Sequence, residues 1–267
     1  ELLGEARNAA YTAIALAPGL AEAHTALATI HQYFDFDWTA TESEYEQAIT
    51  LSSQSPGPFH RYADYLVLTN RYDRAGEMAA RAIEIDALDS SSMHAVGLVH
   101  MMKEEYEEAA RVFGEWNRFH PGSRWSYVKH ALALSMAGQC DLAGTQAEKV
   151  EVMNDGKSSQ LMESWLAWGY RICGNQAWYS RSKERIENAQ LANPNLLDPG
   201  LAYLNAIEGN ADALIDSLEQ VEAAGNPFAL FIKLFSEEMI GWRVSGKVAG
   251  DPRYQALLAR MDFPPES

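Results

Sequence analysis

Small residues recur along this chain at a fixed step. Ala75, Ala109 and Ala143 stand 34 residues apart, and three further series keep that spacing: Ala63, Gly97 and Ala131; Tyr72, Tyr106 and Cys140; Leu66, His100 and Leu134. A period of this length with small residues in register predicts helix-turn-helix units. One such unit cannot bury its own apolar face, and stacked neighbours bury it together. The small residues mark the crossings, where glycine or alanine lets two helix axes approach to roughly 8–10 Å. Ala63, Gly97 and Ala131 fall on the first helix of a unit, and Ala75, Ala109 and Ala143 on the second. Turn-forming residues at 69–71, 103–105 and 137–139 lie between them. Tyr72 and Tyr106 follow those turns and are placed to plug the gap beneath.

From residue 90 onward, Val96-Gly97, His100, Ala109, Phe113 and Pro121 resemble the tetratricopeptide repeat, whose pattern is a Leu-Gly pair, an aromatic, a spaced Ala and Phe, and a closing Pro. Phe59, Met93 and Tyr127 stand where that repeat opens with Trp. The resemblance implies an all-α, right-handed α-solenoid of stacked helical pairs with a binding role. Residues 250–261, together with an aromatic and acidic turn at 33–38 followed by Tyr45 and Ala48, add a second resemblance. They are similar to the repeat regions at the C-termini of bacterial multidomain regulators, which follow a winged-helix, adenylate cyclase or kinase domain. This implies a sensory or docking role, with the output module outside the present sequence.

Taken in order, residues 3–17 read as a second helix whose partner lies upstream, with Ala6, Ala10 and Ala13 on one face and Pro18 closing the unit. The next first helix starts at Ala21. Its Leu27-Ala28 pair precedes Tyr62-Ala63 by 35 residues, so one extra residue falls in the 33–38 turn. Asp37 is the expected N-cap of the helix that begins at Trp38. The repeat array, a partial first unit and then about four units, is assigned to residues 1–155, with three units in phase from about 56 to 155, and residues 156–267 to degenerate helical pairs and capping helices. These pairs run over 158–173 with 177–191 and over 201–207 with 211–224, followed by helices at 227–240 and 252–261.

Composition limits the partners. Twenty-one Lys and Arg against 37 Asp and Glu give a net charge of −16, which disfavours direct contact with nucleic acid or an anionic membrane surface. No apolar run is long enough to span a bilayer. The chain opens without a start Met or a signal-peptide pattern, and reads as beginning mid-protein, as an excised C-terminal region. A cytoplasmic setting is the expectation, with the periplasm as the alternative if upstream segments are missing. Cys140 and Cys173 are read as two part-buried thiols inside helices, too few for a disulfide framework or a four-Cys zinc site.

No catalytic constellation emerges. Gly156-Lys157-Ser158 lacks the earlier Gly and the preceding strand of a phosphate-binding loop, and reads as an inter-helix turn. Neither a G-x-S-x-G elbow nor an H-E-x-x-H helix occurs. His60 and His94 stand 34 residues apart on equivalent helix positions, yet no third metal ligand accompanies them. Asp35 and Asp37 read as turn and capping residues. No cofactor, no metal and no enzymatic activity are expected.

The informative surface is the first-helix face opposite the crossings. Positions 57, 60, 64, 67 and 68 share a stripe at helical spacing, and the same positions recur one and two periods on. The stripe carries His60, Asp64, Val67, Leu68, His94, Leu98, Met101, Met102, Trp125, Val128, Leu132 and Met136. It is apolar and rich in Met, which suits a surface that adapts to its ligand. In tetratricopeptide proteins this face lines the groove that holds a peptide, so the resemblance implies a protein or peptide partner. The Lys, Asn and Arg residues of the carboxylate-clamp version are missing. The alternative is a small-molecule sensor with its pocket between the repeats and the Trp-rich 158–178 region.

Overall fold

The computed structural model describes residues 2–52, 54–154, 159–193, 199–224 and 248–263. Helix α1 is Leu2–Leu16, α2 Ala21–Ile30, α3 Trp38–Leu51, α4 Gly57–Leu68, α5 Tyr72–Ile85, α6 Ser90–Met102 and α7 Tyr106–Phe119. They continue as α8 Arg124–Met136, α9 Cys140–Asn154, α10 Gln160–Ile172, α11 Gln176–Ala192, α12 Gly200–Glu208, α13 Ala211–Ala223 and α14 Pro252–Met261. No strand occurs among the described residues. The helix expected over 227–240 and the Gly156-Lys157-Ser158 turn lie outside them.

One compact unit takes the chain through Val99 together with the segment from Met261, and a second runs from His100 to Arg260. In the first, α2 and α4 pack side by side, α2 pairs with α3 and α4 with α5, and α1 packs on α2. In the second, α8, α10 and α12 pack in succession, each paired with its own second helix, α9, α11 and α13. First helix against first helix, each backed by a second helix, is the architecture of an all-α solenoid of helical repeats. The period break near residue 155 falls inside the second unit.

The crossings follow the alanine series. Ala63, Ala75 and Ala109 have no exposed surface, and Gly97, Ala131 and Ala143 are also buried. The turns follow the same step, with Phe36, Asn70, Glu104 and Gly138, each 34 residues after the last, holding left-handed φ values of 52°, 60°, 60° and 74°. A left-handed residue just past a helix end turns the chain back so that its last carbonyls find donors. Arg71 N–H thus reaches Leu66 O, Glu105 N–H reaches His100 O and Gln139 N–H reaches Leu134 O.

The extra residue near 33–38 has a definite location. His31–Asp35 forms a π-helical turn at the end of α2, and Asp37 N–H reaches back to His31 O, one residue further than in the later units. A π-turn absorbs a single insertion without unwinding its neighbours, so Phe36 and Asn70 return to the 34-residue step. Asp37 caps α3 as expected, its carboxylate accepting from Ala40 N–H at 2.9 Å. The Trp38 ring then faces Tyr65, stacks on Phe263 at 4.8 Å, and donates its indole N–H to the Met261 carbonyl.

The cysteines depart from the sequence expectation. Cys140 and Cys173 are not free thiols but a disulfide, with their Cα atoms 5.5 Å apart. The bond joins the first residue of α9 to the residue that ends α10. Spacing alone could not pair them, because their approach depends on how α10 stacks after the period has shifted. The turn residues Gly138 and Gly174 are 36 residues apart rather than 34.

Candidate binding face

The twelve stripe residues divide by exposure. In the first unit Val67 and Leu68 are buried, while Asp64, His94 and Leu98 are half-buried. His60 is buried, with Nδ1 lacking a hydrogen bond and lying 3.6 Å from Asp89. Burial pushes its pKa down, opposed by the Asp89 charge. Asp64 helps burial raise the Tyr33 phenol to about 12. In the second unit Met101, Val128 and Leu132 are buried, whereas Met102, Trp125 and Met136 are half-buried. Six residues of the stripe thus reach solvent: Asp64, His94, Leu98, Met102, Trp125 and Met136. The buried ones sit where one helix meets the next, because a stripe five positions wide also covers the flank on which neighbours pack.

The second unit gathers a cluster that the sequence had not assembled. Trp125 on α8 meets Trp165 on α10 edge to face, with ring centroids 6.2 Å apart, and Tyr203 on α12 lies 6.1 Å beyond Trp165. The Lys129 ammonium, one turn after Trp125, stands 4.4 Å from the Trp165 centroid and 5.9 Å from that of Trp125. An ammonium so placed is held by the ring quadrupole, worth about 0.5–2 kcal/mol. Trp125, Lys129 and Trp165 keep partial exposure, while Tyr203 is buried and its phenol pKa is pushed up by desolvation. The buried Trp165 Nε1 has no hydrogen-bond partner. Lys129 is missing from the predicted stripe because its repeat-equivalent positions, 61 and 95, lie outside it, and Trp165 and Tyr203 because the stripe ends at residue 136. The available signal was the tryptophan content of the 158–178 segment.

Two other places bear on chemistry. Between α8, α9 and α10, where a sensor pocket was one expectation, Leu132, Ser135, Leu166, Gly169, Tyr170 and the disulfide bound a cavity of about 30 Å³. That volume holds about one water molecule. At the ends of α10 and α12, Glu208 accepts from Tyr179 and pairs with Lys183, so the cleft beside them presents a neutralised pair. Among the described residues no group of three or more His, Cys, Asp or Glu is placed to hold a metal, and no helix is long and apolar enough to cross a membrane.

The fold is that of an all-α solenoid of tetratricopeptide-like helical repeats. A solved structure of PilF from Pseudomonas aeruginosa, a tetratricopeptide-repeat protein, is similar to this chain with a TM-score of 0.55 and 17% identity, covering 74% of this chain and 96% of that one. At that identity the likeness establishes the fold. No protein-family model matches the chain, and no curated protein matches it by sequence.

Proposed function

We propose that this chain is a non-catalytic docking module whose first-helix face receives a segment of another protein. The observation that supports it best is the Trp125, Lys129 and Trp165 cluster, which joins two adjacent first helices and stays partly open to solvent. Large rings with a nearby cation are the groups that carry most of the energy at protein interfaces, because each buries much area at little cost in side-chain freedom. In the first unit Leu98 is a half-exposed apolar anchor, and Asp64 and His94 would orient polar groups of a ligand; in the second, Met102 is a further half-exposed apolar anchor. Residues 1–155 would act as the repeat array and 156–267 as degenerate pairs that extend and cap it. On this reading, the resemblance to C-terminal regions of bacterial regulators would put the module behind a separate output domain.

The test compares capture of partners from source-cell lysate by the parent chain, by Trp125→Ser and by Leu98→Asp/Met102→Asp. Met101 is buried and is left intact, since a carboxylate there would unfold α6 rather than probe the face. Loss of one captured protein in both variants, with thermal midpoints within about 2 °C of the parent, is the expected outcome. Full retention by both variants refutes the assigned face.

A further inference from the structure

We propose that the Cys140–Cys173 bridge is formed in the working protein, that the chain functions in an oxidising compartment, and that the bond locks the seam where the 34-residue period fails. Three observations converge. The only two cysteines of the sequence are joined to each other, at a Cα separation within the range a disulfide spans without moving the backbone. Disulfides persist outside the reducing cytosol, where thiol pools otherwise keep such pairs open. The bond also sits at the one unit-to-unit step, Gly138 to Gly174, where the turn spacing jumps to 36 residues after three steps of 34.

Non-covalent packing at that seam is incomplete. Ala131, Ala143, Gly144, Ala147 and Gly169 let α8, α9 and α10 approach, and an added Cβ at Gly169 would lie 2.9 Å from the Ser135 hydroxyl. Even so, the cavity of about 30 Å³ persists there, and the Tyr170 hydroxyl lining it is buried without a hydrogen-bond partner. Cys140 occupies the register position of Tyr72 and Tyr106. A covalent link from that position to Cys173 stands where those units carry an aromatic ring. Forming it removes two protons and two electrons from the thiols, which pass to a disulfide-bearing oxidant that becomes a dithiol. A dithiol reductant reverses the exchange. The proposal does not depend on what the first-helix face binds.

The experiment quenches source cells in acid and alkylates the full protein with maleimide-polyethylene glycol in denaturant, before and after dithiothreitol. The expected result is no adduct before reduction and two adducts after it. Two adducts before reduction, or a dimer linked through cysteine, would overturn the proposal. In a second arm, amide hydrogen exchange of the purified chain is compared with the bond intact and reduced. At least a tenfold rise in exchange across α10 and the start of α9, with α4 and α5 unchanged, is expected. Equal exchange in both states would refute the seam-locking role even if the bond is present in cells.

Discussion

Replacing Arg185 tests the electrostatic account of the second unit most directly. The Glu163 carboxylate on α10 has a side chain only 2% exposed and accepts from Arg185 Nη1 at 2.8 Å and from the Ser182 hydroxyl at 2.8 Å. The same guanidinium, on α11, grips Glu151 of α9 through both nitrogens at 2.5 and 2.8 Å. Those hydrogen bonds, and then the Glu163 charge, raise the Arg185 pKa against the opposing effect of burial. Arg185→Leu would leave Glu163 buried and unpaired. Breaking such a pair costs about 3–5 kcal/mol. Arg185 is 29% exposed and Ser182 still serves Glu163, so we expect about 3 kcal/mol, or a fall of roughly 6–12 °C in thermal midpoint. Glu163→Gln/Arg185→Leu should recover at least half the loss, because no buried charge remains. Circular-dichroism melts provide the readout. A single variant that melts within about 2 °C of the parent at about pH 7, or a double variant no better than the single, would refute the reasoning.

Other perturbations probe different layers. Ala109→Leu places three extra carbons at a crossing with no exposed surface and should cost about 1–3 kcal/mol; an unchanged chemical-denaturation midpoint would contradict the assigned register. Glu104→Gly removes a side chain from a left-handed turn position and should raise stability by about 1 kcal/mol, while Gly138→Ala should lower it by a similar amount. The reverse order in urea titrations would count against the turn account. His130, half-buried with Nδ1 2.9 Å from the Asn117 amide, has its pKa lowered from 6.5 to about 4 by burial and then by the Lys149 charge. The fold therefore favours neutral imidazole, and the unfolded chain takes up its proton first. Stability should fall by about 2 kcal/mol as pH drops from about 6.5 to about 5. His130→Gln should flatten that part of the profile, and coincident profiles for the two proteins would exclude His130 as its source.

The sequence by itself determined what is local and periodic. Helices form where apolar residues recur at helical spacing, and the alanine series located the crossings because close approach allows no larger side chain there. Asp37 declared itself as a cap by its chemistry, since a short carboxylate before a helix reaches the free N–H groups of the first turn. Tertiary structure alone decided which side of a helical stripe meets a neighbour. Val128 and Leu132 shared a stripe with Trp125, yet they lie under the next helix while Trp125 stays open. It also decided what happens once the register slips. A π-turn at His31–Asp35 absorbed one inserted residue locally, so the repeats beyond it remained legible. The longer step between Gly138 and Gly174 was not absorbed. Only stacking in three dimensions brought Trp165 to Lys129 and Cys173 to Cys140, because contacts between units depend on the summed geometry of every residue in between, whereas a helix depends on neighbours four residues away.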